Sequence, residues 1–202
     1  MARALLIGRH TMNEPRRTTR RAKHDAGFTL VELAVVVAIV GILAVIAVVA
    51  YRRYILHAKI TEARNVISAI RIAQEDYRAE RGSYADLGGT YCPTLAGNGN
   101  HKTGWDPECS GAGTHPDPKW HTLPVHIDGP VHFQYATVAG MGAGGTAFPP
   151  TNASWVNWGA AAPTGHWYVV MAKCDLDGAG TPDTELVGSS LSNDIFSRND
   201  GN

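Results

Sequence analysis

Residues 28–50, FTLVELAVVVAIVGILAVIAVVA, form 23 consecutive positions with a single ionisable side chain, Glu32. A helix of that length is long enough to cross the hydrocarbon core of a bilayer, with its backbone polar groups satisfied internally. Beyond it the pattern becomes amphipathic. Ala63, Val66, Ile67, Ile70, Ala73 and Tyr77 recur at intervals of three and four, and Arg64, Arg71, Glu75 and Arg78 occupy the other positions. Arg71 with Glu75, and Glu75 with Arg78, are spaced for side-chain pairs of about 0.2–0.5 kcal/mol each. Gly82 is the expected stop. Joined, the two stretches predict about 54 residues of helix, roughly 80 Å at 1.5 Å per residue. No compact domain of this size contains such a rod, so its first half is expected to project and its second half to pack on a head.

The remaining chain is less periodic. Residues 83–129 read as a long irregular connection, with turns near Gly88-Gly89 and Asp106-Pro107. Strands are predicted at 131–138 and 166–172, both rich in β-branched and aromatic residues, and a weaker one at 184–189. Residues 140–163, with GMGAGG, Pro149-Pro150 and Trp155 to Trp158, predict a long surface loop. The fold class is therefore α+β: one long N-terminal helix whose second half packs on a small antiparallel sheet.

Charge is sorted along the chain. Residues 1–27 carry seven Lys or Arg against two acids; with 18 of each over the whole chain, eleven basic and sixteen acidic residues remain after Gly27. A mildly acidic remainder argues against nucleic acid as a main partner, because that binding needs cations to replace phosphate counterions. The basic start predicts a cytoplasmic N-terminus, with the C-terminal part across the membrane. A secretory signal is excluded on length, since its apolar core runs only about 7–15 residues and its cleavage site follows that core. Glu32 is the anomaly: deep in a bilayer an acid costs roughly 2.5–3.5 kcal/mol, unless it lies at the hydrated interface or finds a compensating partner.

Gly27-Phe28-Thr29-Leu30-Val31-Glu32-Leu33, followed by the apolar run, resembles the processing signature of type IV pilins and secretion pseudopilins. The resemblance continues through Ala50-Tyr51-Arg52-Arg53-Tyr54 and Ile60-Thr61-Glu62-Ala63, covering roughly residues 27–82. It implies that a prepilin peptidase cuts between Gly27 and Phe28 on the cytoplasmic side and methylates the new amino terminus. It also implies that Glu32 pairs with the Phe28 amine of a neighbouring subunit during assembly. Two opposite charges desolvated among apolar helices attract strongly, and one left unpaired is expensive. Two departures stand out. The leader is long for the family, which makes Met12 an alternative start, and the helix-bending proline of many pilins is replaced by Val49. The implied organisation is a cleaved leader at 1–27, a transmembrane and filament-core helix at 28–51, its amphipathic continuation at 52–82, and an exported head at 83–202.

The head offers few other sites. Cys92, Cys109 and Cys174 suit an oxidising compartment and one disulfide. Cys92 with Cys109 is favoured, closing a loop worth about 3 kcal/mol, and Cys174 is the alternative partner. Asp175, Asp177, Asp183 and Glu185 group four carboxylates, which raises calcium as a candidate cofactor. Their spacing is wrong for an EF-hand, and an Asp-Gly segment between two strands is first a hairpin turn. His101, His115, His121, His126, His132 and His166 show no paired zinc-like spacing with cysteine. Motifs for nucleophilic, phosphate-loop or zinc-hydrolase catalysis are missing from the sequence, so no enzyme activity is expected.

The expected function is that of a structural subunit of a type IV pilus, serving adhesion, twitching motility or DNA uptake. Its partners would be further copies in a helical filament, the prepilin peptidase, the pilus assembly machinery, and the inner membrane before assembly. It would end in a cell-surface fimbrium. The alternative is a pseudopilin of a type II secretion system. A third reading is a single-pass membrane protein whose head binds or hydrolyses a ligand, the N-terminal motif being a coincidence.

Overall fold

The computed structural model describes residues 27–93, 101–105, 118–142, 147–159, 162–176, 178, 180 and 183–200. The long helix forms as its pattern predicts: α1 (Leu30–Arg81) is one α-helix of 52 residues. Its start lies two residues inside the expected boundary. Its end is set by Gly82, which takes a φ of 77° and donates its N–H to Arg78 O at 2.8 Å. A residue in the left-handed region closes the last turn, and glycine reaches it without a Cβ penalty.

By contacts the chain divides into two units, residues 1–44 and 45–202. In the first, every described residue is exposed. In the second, a four-stranded antiparallel sheet forms in the order β1 (Gln134–Met141), β2 (His166–Cys174), β3 (Thr184–Ser189), β4 (Phe196–Arg198). Strand β3 falls where the sequence places it, and β2 runs two residues longer. Strand β1 corrects the expectation. Val131 and Phe133 are buried, but Val131 forms only an isolated bridge with Thr103, and the ladder to β2 begins at Gln134. Burial gave residues 131–133 their strand-like composition without a partner strand. The three-residue β4 was not anticipated.

Alternation across the sheet separates two cores. Tyr135, Ala139, Tyr168, Val170, Ala172 and Leu186 face α1, where Ile60, Ala63, Val66, Ile67, Ile70 and Ala73 form the buried stripe. Gly188 lies in the same layer, paired with Val170, and a Cβ there would stand 2.8 Å from Ile67 Cγ2. The glycine lets the helix approach the sheet.

The opposite face is also covered, which corrects the surface-loop expectation for 140–163. Met141 belongs to β1, a short 3-10 turn forms at Thr151–Ala153, and Ala153 and Val156 are buried against Ala136, Val138, Trp167, Val169, Met171 and Val187. Phe148 packs edge-to-face on Trp158 and on Trp167, at centroid distances of 5.6 and 4.9 Å. Gly140 is required beside this cluster, because a Cβ there would come within 2.7 Å of Trp167 Cζ2. Strands buried on both faces read as nearly continuous apolar runs, as WYVVMA does in β2.

Candidate processing and assembly site

The N-terminal end of α1 is built by local backbone chemistry. Thr29 immediately precedes the helix and acts as its N-cap. Thr29 Oγ1 accepts the Glu32 N–H at 3.2 Å, while Glu32 Oε2 accepts the Thr29 N–H at 2.9 Å and the Thr29 hydroxyl at 2.7 Å. This reciprocal arrangement is a capping box, which satisfies two of the donors that every helix start leaves orphaned. The carboxylate also sits in the first turn, where the helix dipole favours negative charge. Glu32 therefore has an internal purpose as well as the intermolecular one that the resemblance implies. The signal for this box, Thr29-Leu30-Val31-Glu32, stands in the sequence but is overlaid by the apolar run that begins at the same place. Glu32 Oε1 has no partner among the described residues, so one oxygen faces outward.

Gly27 and Phe28 precede this cap and are both exposed. A Cβ on Gly27 would meet no atom within 4 Å, and its φ lies outside the left-handed region. Nothing in the described structure demands a glycine there. From Phe28 to Ala50 each residue is exposed, with Phe28 at 83% and Leu30 at 84%. Among the described residues, α1 is the one helix long and apolar enough to cross a membrane.

Polar anchors join the second half of α1 to the head at Glu62, Arg71 and Gln74, among others. Glu62 Oε1 accepts the His132 backbone N–H at 2.8 Å; its Oε2 lies 3.1 Å from both His132 Nδ1 and Lys102 Nζ. Burial pushes the Glu62 carboxyl up, but the hydrogen bonds from His132 and Lys102 outweigh it and leave it below its usual range. Burial likewise lowers His132, against the pull of Glu62. Arg71 donates from Nη1 to Asn193 O at 3.0 Å and from Nη2 to Ser192 O at 3.1 Å. Gln74 is fully buried; it donates from Nε2 to Ala85 O at 2.8 Å and to Thr137 Oγ1 at 3.1 Å, and accepts the Ala85 N–H at 2.9 Å. Sequence reasoning missed Gln74, because a polar residue at a core position looks like a break in the apolar stripe.

The remaining candidates are scattered. Cys92 and Cys174 are both buried, Cys174 is a thiol pushed up to about 12 mainly by burial, and Cys109 lies outside the described residues. Asp175 is buried and turns inward on its own loop: Oδ1 accepts the Gly178 N–H and Oδ2 the Gly180 N–H, each at 2.7 Å. With Cys174 paired to Thr184, this loop connects β2 to β3, as the hairpin reading expects. Glu185 stands 2.8 Å from Arg198 Nη2 across the β3–β4 register, an ion pair without a well-aligned hydrogen bond. Asp183 lends its backbone carbonyl to Asn199 Nδ2 at 3.1 Å, and Asp177 lies outside the described residues. Of the histidines, His126 meets Asp128 at the surface and His132 meets Glu62, while His115 lies outside the described residues. No three His, Cys, Asp or Glu side chains converge as a metal site among the described residues.

Comparison with known proteins places the distinctive chemistry at the same end of the chain. Residues 22–48 match the family model described as the prokaryotic N-terminal methylation motif, the signature of type IV pilins and pseudopilins. The matched segment includes Gly27, Phe28, Thr29 and Glu32 and most of the apolar run. No curated protein and no solved structure matches the chain.

Proposed function

We propose that this methylation-motif protein is a precursor cut between Gly27 and Phe28, and that the mature chain is a structural subunit of a type IV pilus. The observation that carries the reading is the junction itself. A glycine that nothing in the described structure demands precedes a capped helix whose stretch from Leu30 to Ala50 bears one carboxylate, Glu32, and an exposed apolar surface. A requirement for glycine that does not come from the fold fits a requirement set by a processing enzyme. Before cleavage the helix anchors the chain in the inner membrane with its N-terminus in the cytoplasm. Afterwards the same surface packs against neighbouring copies, and the Phe28 ammonium of one copy meets Glu32 of the next. The mechanism is assembly, without turnover or cofactor. Outside the membrane the head is closed by a disulfide between Cys92 and Cys109, a pairing supported by the buried thiol of Cys174.

The N-terminal peptide of the mature protein tests this: mass spectrometry should find it beginning at N-methylated Phe28, and an intact leader in cells that possess the peptidase would refute the reading. The same motif serves pseudopilins of type II secretion systems. Long extracellular fibres containing the chain would favour the pilus, whereas their absence from secreting cells would favour the pseudopilus.

A further inference from the structure

We infer that Arg52 and Arg53 form a binding site for the phosphate groups of anionic phospholipid at the C-terminal end of the membrane run. The inference rests on the reading of residues 28–50 as membrane-spanning. The apolar run ends at Ala50 and is followed on the same helix by Tyr51-Arg52-Arg53-Tyr54. The two tyrosines are 65% and 71% exposed, and both arginines are exposed. Neither guanidinium has a hydrogen-bond or ion-pair partner among the described residues, whereas Arg71, Arg78 and Arg198 each engage other groups of the head. Amphipathic tyrosines sit at the headgroup level of a bilayer, and arginine stems run along apolar surface to bring their forks to the same depth. A planar fork with five donors matches a phosphate bidentately.

Charge makes the partner specific. Residues 51–60 hold Arg52, Arg53 and Lys59 and no acid. In the precursor these are outnumbered by the seven basic side chains of residues 1–27 at the other end of the run. Removal of those residues leaves the Phe28 amine opposite Glu32 at that end, so the basic side chains nearest the apolar run of the mature chain are Arg52 and Arg53, with Lys59 farther along the helix. Attraction to an anionic leaflet is worth about a fivefold change in affinity per basic residue near the surface.

The test uses the mature full-length chain in a mild detergent, titrated with phosphatidylglycerol and separately with phosphatidylcholine, with bound lipid counted by native mass spectrometry. Phosphatidylglycerol should be retained at least tenfold more tightly than phosphatidylcholine, and excess inorganic phosphate should not displace it. Arg52→Gln with Arg53→Gln should abolish the preference, while Arg64→Gln, farther along the same helix and also exposed, should leave it intact. Equal retention of the two lipids, or an unchanged preference in the double variant, would overturn the proposal. Circular dichroism checks that the helix survives the substitutions. The intact mass of the same sample reports cleavage at Gly27, so failure of the processing reading is seen independently of lipid binding.

Discussion

Thr29 and Glu32 hold each other at the start of α1, the hydroxyl 2.7 Å from the carboxylate and the carboxylate 2.9 Å from the Thr29 amide. One side chain is thus engaged in helix capping while its charge remains available to a neighbour. The two roles separate by substitution. Glu32→Gln keeps an acceptor at the position where capping boxes use Glu or Gln, but removes the charge. Glu32→Ala removes both, at a capping cost of about 1 kcal/mol. If the ammonium contact governs assembly, both variants are cleaved normally and neither enters filaments. Fibre yield after shearing measures this, and normal fibres from Glu32→Gln would assign the residue to capping alone.

Gly188 beneath Ile67 predicts a steric penalty. Gly188→Val should destabilise the head by about 1–3 kcal/mol through overpacking. Adding Ile67→Ala should recover part of that loss, since the two side chains compete for one space. Thermal melting of the two single variants and the double measures the coupling, and strict additivity would contradict the contact.

Acid should weaken the anchor at Glu62. Its carboxyl titrates below its ordinary value of 4.5, so its contribution to stability is complete above that pH and is lost as pH falls through the lower folded value. His132 is also lowered from 6.5; the unfolded chain takes up the proton first, and stability declines as pH drops below 6.5. Both effects have the same sign. The melting temperature should fall from pH 7 towards pH 3, and Glu62→Gln should flatten the acid limb while lowering stability at neutral pH.

The Asp175 loop distinguishes a self-bonded turn from an ion site. Both oxygens already accept backbone N–H groups, so Asp175→Ala should cost on the order of 2–3 kcal/mol with or without calcium. Millimolar calcium should not shift the melting temperature of the unaltered chain. A rise of several degrees, reversed by chelator, would place a cation in the loop.

Length made the first half of α1 legible, as an unbroken apolar run, and periodicity made the second half so, through apolar residues at intervals of three and four from Ala63 to Tyr77. The same logic failed at residues 131–133, where burial is provided by loops and α1 and no strand partner is needed. It also undervalued residues 147–159. The glycines and prolines there signal a loop, and they do form one, but Phe148, Trp155 and Trp158 roof the second sheet face. The unbroken apolar run of β2 was the available sign that both faces need cover. In the methylation-motif segment the motif residues were all readable from the chain, whereas the anchors at Gln74 and Asp175 depend on backbone groups that no side-chain pattern reveals.

Glu62, Arg71 and Gln74 are spread along about three turns of one helix, and each grips a different part of the head. A pull along the helix axis would load all three in shear together instead of unzipping them one after another. For a subunit that bears tension, such parallel fastening raises the force needed to strip the helix from the head, so that the load does not fall on the peptide link at Gly82 alone.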